Sequence, residues 1–154
     1  MKVLVVFYSR NKHTRYIAEK ISNILKCDID EVVDLKERSR RISGWAISGW
    51  DAVRKNSTKI KILKNPKDYG LVIIGTPNWV GNITPAVRTY LTQHKLEKVA
   101  FFCTFGGNEG QIYNTMEKLS AKPIAILGIK DKEIRSKETE SKIKEFCDSL
   151  KKIK

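Results

Sequence analysis

Residues 1–14 read MKVLVVFYSRNKHT and join a short apolar run to a polar loop and the start of a helix. The apolar run, residues 3–8, has the composition of a strand that is buried on both faces. The polar loop, residues 9–13, follows it, and Thr14 opens an amphipathic pattern. A loop between a strand and a helix N-terminus can hold an anion, because backbone N–H groups and hydroxyl groups surround it. We therefore predict a phosphate-binding loop over residues 9–14.

The rest of the chain continues this alternation of strands and helices. The strand patterns cover residues 2–8, 28–34, 70–75, 98–103 and 124–129. The helix patterns cover residues 14–26, a segment that begins at Thr84, residues 110–119 and residues 136–151, with a further short helix near residues 50–55. Strict alternation is typical of a parallel sheet with helices on both faces, and right-handed crossovers make it doubly wound. We predict an α/β, three-layer, single domain over residues 1–154 with a five-stranded parallel sheet.

Length and composition narrow the class of protein. The chain has 154 residues, of which 41% are hydrophobic, as expected for one globular domain with a sizeable core. No apolar run approaches the ~20 residues of a membrane-spanning helix. The three cysteines lie far apart and form no C-x-x-C pair. This pattern favours reduced thiols in a cytoplasmic protein over a disulfide framework or a zinc site.

The net charge of +13 is concentrated in one segment. Residues 35–67 contain ten Lys and Arg residues and only two acidic residues, which gives this segment a charge of +8. Such a field attracts acidic partners, which can be proteins, nucleic acids or anionic metabolites. A solvated surface in a lysine-rich organism would explain the same bias, so the charge alone does not choose a partner.

Three unusual loops are expected to meet at the carboxyl edge of the sheet. Doubly wound sheets bind ligands there, at the point where the strand order reverses. The loops are residues 9–14, residues 75–84 (GTPNWVGNIT) and residues 103–110 (CTFGGNEG). Glycines allow the backbone to approach a flat ligand, and an aromatic side chain can stack on it. We therefore predict a nucleotide whose ring lies between the second and third loops.

On these motifs the chain resembles the flavodoxin family. The resemblance covers nearly the whole length and rests on YSRNKHT, on GTPNWVGN followed by TPAVRTYL, and on CTFGGN. It implies a flavodoxin-like doubly wound sandwich with strand order 2-1-3-4-5 and flavin mononucleotide (FMN) as the cofactor. The second motif is similar to the branch that includes multimeric flavin-dependent quinone reductases. Asn11 and Lys12 stand where the family has Thr and Gly, so Lys12 would need a backbone conformation that suits glycine.

The resemblance also implies which residues hold the cofactor, with one set from each loop. The residues expected at the phosphate are Ser9, Arg10, Asn11, Lys12, His13 and Thr14. The residues expected at one edge of the flavin ring are Thr76, Pro77, Asn78, Trp79, Val80, Gly81 and Asn82. The residues expected at its pyrimidine side are Cys103, Thr104, Phe105, Gly106, Gly107 and Asn108. Whether Trp79 or Phe105 stacks on the ring is left open, and no catalytic side chain or metal ligand is implied.

The residues argue against other protein classes with similar folds. A response-regulator receiver would carry acidic residues after the first strand, where this chain has Phe7, Tyr8 and Ser9. A low-molecular-weight tyrosine phosphatase would place Cys and Arg where Ser9 and Thr14 stand. No G-x-G-x-x-G motif follows a strand, which argues against a nicotinamide-binding unit of that type. Cys103 and Cys147 are expected to pack as small apolar residues.

The expected function is FMN-dependent electron transfer with acidic redox partner proteins, in the cytoplasm. Positive charge near the ring predicts a less negative potential for full reduction than in acidic flavodoxins. One alternative is an FMN-dependent NAD(P)H or quinone oxidoreductase. Another is a basic module that binds nucleic acid or acidic protein through residues 35–67, with Trp45 and Trp50. Nucleic acid is the less favoured partner, because glycines and apolar residues flank both tryptophans. The oligomeric state is left open.

Overall fold

The structure of the protein is a computed structural model that describes residues 1–36 and 58–153. Within these ranges the strands are β1 (Val3–Phe7), β2 (Asp28–Glu31), β3 (Val33–Asp34), β4 (Ile60–Lys61), β5 (Leu71–Pro77), β6 (Val99–Phe105) and β7 (Ile126–Lys130). The helices are α1 (His13–Leu25), α2 (Pro85–Gln93), α3 (Ile112–Leu119) and α4 (Lys137–Lys151). Two short 3-10 turns cover Pro66–Asp68 and Asp131–Glu133. The predicted helix near residues 50–55 lies outside the described residues.

Five strands form the main sheet in the order β2-β1-β5-β6-β7, and every neighbouring pair is parallel. Numbered among themselves along the chain, these five strands have the order 2-1-3-4-5. This confirms the predicted α/β architecture and strand order. The order reverses at β1, which lies between β2 and β5. The carboxyl end of β1 is therefore the expected place for a ligand.

The predicted strand over residues 28–34 is wrong in its extent. The chain leaves the main sheet after Glu31, where the Val32 N–H donates a last hydrogen bond to the Phe7 carbonyl at 2.8 Å. Because β1 ends at Phe7, residues beyond Val32 have no strand beside them to pair with. They pair instead with β4, antiparallel, in a separate two-stranded sheet that the sequence did not predict.

Helices cover the main sheet on both faces. One core cluster contains buried residues of α1 and α4, including Ile17, Ile21 and Phe146. The other contains buried residues of α2 and α3, including Tyr90 and Met116. These side chains form the buried faces of their helices. Each fully buried large apolar side chain contributes about 1.5–3 kcal/mol, so these two layers hold the helices against the sheet.

The described helices include none long and apolar enough to cross a membrane.

Candidate functional site

A cavity of about 490 Å³ opens beyond the carboxyl ends of the central strands. Its volume lies in the range of small-molecule sites, about 300–1,000 Å³. The lining residues are Arg10, Asn11, Lys12, Pro77, Asn78, Trp79, Thr104, Gly106 and Asp131. All of them except Asp131 belong to the predicted set. The structure therefore brings the three predicted loops together around one cavity.

A second cavity of about 410 Å³ lies at the opposite edge of the sheet. Its lining includes Met1, Gly70 and Lys98, which precede β1, β5 and β6 in the chain. Ligands of doubly wound sheets bind beyond the carboxyl ends of the strands and not at this edge. The first cavity is therefore the candidate site.

The first loop ends at the positive end of α1, where the N-cap residue makes no side-chain capping bond. Lys12 occupies the N-cap position of α1 with φ 69° and ψ −2°, in the left-handed region that favours glycine. Its side chain makes no capping bond, and the first turn of α1 contains no acidic residue. The partial positive charge of the helix start is therefore not offset by a carboxylate in this turn. Lys12 takes the glycine-like conformation that the resemblance requires.

The hydroxyl and amide side chains of this loop shape it from within. Ser9 Oγ accepts a hydrogen bond from the Arg15 N–H at 3.2 Å, and Asn11 Oδ1 accepts one from the His13 N–H at 3.4 Å. Thr14 is fully buried, and its hydroxyl lies 2.8 Å from the Thr104 hydroxyl on β6. Thr14 thus ties the first loop to the third, and the lining groups on the cavity side are Arg10, Asn11 and Lys12.

Asp131 is the lining residue that sequence reasoning missed. Its Oδ1 atom lies 3.0 Å from Nδ1 of His13, at the start of α1. Asp131 follows β7 directly, so it reaches the same edge of the sheet as the three predicted loops. The signal that could have revealed it is this position after a parallel strand, in the sequence GIKDKE. A carboxylate beside Arg10 and Lys12 reduces the positive charge of the cavity.

The second loop contains a tight hairpin. Trp79 and Asn82 exchange two backbone hydrogen bonds, at 2.9 and 3.2 Å. The two residues between them both have positive φ, 53° at Val80 and 77° at Gly81, as in a type I′ turn. Asn78 Oδ1 accepts a hydrogen bond from the Gly81 N–H at 2.7 Å. Val80 stands at the tip with 61% of its surface exposed, in a conformation that is unfavourable for a β-branched residue.

Three hydrogen bonds join the second loop to the third, and one of them is donated by a side chain. The Asn78 N–H donates to the Thr104 carbonyl at 2.8 Å, and the Asn78 side-chain amide donates to the Asn108 carbonyl. The Gln111 N–H donates to the Gly81 carbonyl at 3.0 Å. The two loops are therefore one hydrogen-bonded unit.

Trp79 is the aromatic side chain that lines the cavity. It is 9% exposed and packs edge-on against Tyr8, with 5.6 Å between the ring centroids. The Arg10 guanidinium lies 5.7 Å from its ring centroid. Phe105 is also nearly buried and belongs to the same core cluster as Trp79, but it is not among the lining residues.

Several predicted site residues lie behind the cavity or beside it. Thr76 is buried, and its hydroxyl donates to the Pro77 carbonyl at 2.9 Å. Cys103 is buried as predicted, and burial, with a smaller contribution from the charge of Glu109, raises the pKa of its thiol to about 12. Gly107 and Asn108 are exposed in the third loop. These residues support the loops without lining the cavity.

No protein-family model matches the chain. Solved structures do resemble it. A flavoprotein in complex with FMN from Lactobacillus acidophilus is 24% identical with a TM-score of 0.72, over 86% of this chain and 95% of that one. The two-electron reduced flavodoxin of Megasphaera elsdenii is 16% identical, with a TM-score of 0.57 over 97% and 98%. The oxidised flavodoxin 2 of Bacillus cereus is 14% identical, with a TM-score of 0.62 over 99% of each chain. These similarities establish a flavodoxin-like fold.

Proposed function

Starting from this flavodoxin-like fold, we propose that the chain binds FMN in the carboxyl-edge cavity and carries electrons between redox partners. The observation that carries the proposal is the cavity itself, where cationic groups, a helix start and an aromatic wall face one space. Arg10 and Lys12 supply positive charge, and Trp79 supplies the aromatic surface. A phosphorylated nucleotide with a flat ring has the matching chemistry. Solved neighbours with this fold include a flavoprotein in complex with FMN.

The residues of the first loop suit the phosphate. The N-cap residue Lys12 makes no side-chain capping bond and the first turn of α1 has no acidic residue, so the positive end of the helix favours an anion. Arg10 and Lys12 line the same end of the cavity and add full charges. We propose that Ser9, Asn11, His13 and Thr14 hold this loop in shape around the phosphate.

The second and third loops suit the flavin ring. The 79–82 hairpin and the chain around Thr104 and Gly106 form the opposite walls, and they are hydrogen-bonded to one another. Among the residues that line the cavity, Trp79 is the aromatic one, which supports it over Phe105 as the ring contact. When bound, FMN supplies the electron-transfer chemistry, while this chain binds and orients it and tunes its charge environment.

The proposed partners are acidic redox proteins of the cytoplasm. The net charge of +13 supports an acidic partner, since opposite charges speed the encounter of two proteins. Lys59, Lys61 and Lys67 of the basic segment are exposed. Cys27, Cys103 and Cys147 are free thiols, which supports a reducing compartment.

Flavin titration of the cofactor-free protein tests the proposal. We expect FMN to bind at least about tenfold more tightly than riboflavin, because only FMN carries the phosphate. The double variant Arg10→Gln, Lys12→Gln should weaken FMN binding and leave riboflavin binding nearly unchanged. Lys118→Gln, an exposed charge on α3, is the matched control and should change neither. A protein that takes up no FMN, or that binds both flavins equally, would contradict the proposal.

A second assay separates an electron carrier from a turnover enzyme. Steady-state oxidation of NADH or NADPH with a quinone acceptor is measured on the FMN-loaded protein. We expect no turnover above that of free FMN, whereas sustained turnover would establish the oxidoreductase alternative.

A further inference from the structure

Arg88 is a nearly buried cation beside the candidate site. It lies on the first turn of α2 after the 79–82 hairpin and is only 8% exposed. Its guanidinium donates a hydrogen bond through Nη2 to Asn82 Oδ1 at 3.3 Å. No carboxylate in the described part of the chain forms an ion pair with it. The charge of Arg88 is therefore largely shielded from water, and its hydrogen-bond partner, Asn82, is neutral.

This position is unfavourable for a cation. The start of α2 carries partial positive charge, and its first turn has no acidic residue to offset it. Burial lowers the pKa of the Arg88 guanidinium, which reflects the cost of holding the charge there. A glutamine or methionine would fill the same space without that cost. A buried charge in such a place points to a role in the neighbouring hairpin, which Arg88 contacts through Asn82.

Arg88 reaches the site through Asn82. The Asn82 side-chain oxygen also accepts a hydrogen bond from the Ile83 N–H at 2.9 Å. The Asn82 backbone closes the hairpin with Trp79, whose ring lines the cavity. The guanidinium thus holds the base of the hairpin that forms one wall of the cavity.

We propose that Arg88 is a positioning residue that fixes the 79–82 hairpin and also stabilises negative charge on the reduced flavin. The inference rests on the proposed function. Two electrons from a redox partner and one proton from solvent convert neutral oxidised flavin into a fully reduced ring with one negative charge. The charge of Arg88 favours that product, because opposite charges attract more strongly where protein excludes water. A tenfold change in the ratio of the affinities for oxidised and reduced flavin corresponds to about 1.4 kcal/mol.

Flavin binding in both redox states tests the electrostatic role. Arg88→Met removes the charge and the donor but keeps much of the apolar stem, whereas Arg88→Lys keeps a charge and a donor. The affinity for oxidised FMN comes from titration, and the affinity for dithionite-reduced FMN follows from the midpoint potentials of bound and free FMN. We expect Arg88→Met to weaken binding of reduced FMN about tenfold more than binding of oxidised FMN. Arg88→Lys should retain most of the difference.

Lys144→Gln is the matched control, because it removes one positive charge from the exposed surface of α4. It should leave the ratio of the two affinities unchanged. If Arg88→Met weakened both redox states equally, the charge would have no special role and the electrostatic half of the proposal would be wrong. If Lys144→Gln changed the ratio of the two affinities as much as Arg88→Met does, the electrostatic role would also be wrong, because the effect would then come from the net charge of the protein.

Hydrogen exchange in the flavin-free protein tests the positioning role separately. The Trp79 and Asn82 N–H groups, which close the hairpin, should exchange severalfold faster in Arg88→Met than in the wild type or Arg88→Lys. Unchanged exchange would overturn the positioning role. Because this measurement needs no flavin, a wild-type protein that binds no FMN would refute the proposed function, and with it the electrostatic role, while exchange would still decide the positioning role.

Discussion

Gly110 and Gly81 meet so closely that a Cβ atom on Gly110 would lie 2.5 Å from the Gly81 carbonyl oxygen. Gly110 also has φ 58°, which side chains of L-residues rarely adopt. The contact joins the hairpin of the second loop to the end of the third loop, beside the Gln111 to Gly81 hydrogen bond. The 79–82 hairpin and the third loop both depend on this close approach of two backbones.

We predict that Gly110→Ala separates these loops. The added methyl group would collide with backbone atoms in an unfavourable conformation, so the free energy of unfolding should fall by about 1–3 kcal/mol. Flavin affinity should fall with it. Urea unfolding and FMN titration measure the two effects. Gly107→Ala is the control, since a Cβ atom there would meet nothing within 4 Å. Equal stability of the two variants would show that the contact is not important.

Val80→Asn should stabilise the protein. Val80 holds φ 53° in a type I′ turn, and the sequence Asn-Gly is strongly preferred in such turns over a β-branched residue followed by Gly. We expect the free energy of unfolding to rise by about 0.5–1 kcal/mol, because Val80 is exposed and little packing is lost. The same change at Val33, which is also exposed but lies in β3, should destabilise instead. A loss of stability in Val80→Asn would contradict the strain argument.

The sequence predicts most of the sheet because strands buried on both faces are continuous apolar runs, as in β1 and β5. It also predicts the loops that surround the cavity, since they follow those strands. It does not predict the departure of Val33 from the sheet, because that depends on where β1 ends. Asp131 and Arg88 are missed for a related reason. Asp131 contacts His13, which is distant in sequence, and Arg88 contacts Asn82 across the start of α2, so neither contact is visible in the sequence.

Lys12→Gly should separate backbone strain from phosphate binding. The left-handed conformation of Lys12 costs about 1 kcal/mol, so glycine should raise the free energy of unfolding by about that amount. It should also weaken the binding of FMN relative to that of riboflavin, because a charge that lines the cavity is lost. Lys26→Gly is a close control, since Lys26 has φ 49° at the other end of α1. It should stabilise the protein without changing the preference for FMN, and a similar loss of preference there would contradict the role of Lys12.

Alkaline pH should destabilise the fold through its buried thiols. Burial is the main cause that raises the pKa of Cys103 and of Cys147 from 9.0 to about 12. Below pH 9 these thiols are protonated in both the folded and the unfolded protein, so their ionisation does not lower the free energy of unfolding. Above pH 9 the unfolded thiols ionise first, so the free energy of unfolding should fall as the pH rises from 9 towards 12. Urea unfolding at several pH values measures this, and Cys103→Ala should flatten the slope. An unchanged slope in that variant would contradict the assignment.

Asp131→Asn should increase the preference for FMN over riboflavin. Asp131 pairs with His13 at the start of α1 and places a negative charge in the cavity that Arg10 and Lys12 line. Removing this negative charge should strengthen FMN binding by about two- to fivefold and leave riboflavin binding nearly unchanged. The effect is modest because Asp131 and His13 are partly exposed and solvent screens their charges. The gain should shrink as salt is added, since ions screen exposed charges. Glu133→Gln, in the same 3-10 turn, is the control and should have no effect. If Asp131→Asn weakened the binding of FMN and of riboflavin alike, this prediction would be wrong. The carboxylate would then bind the ribityl group, which both flavins share.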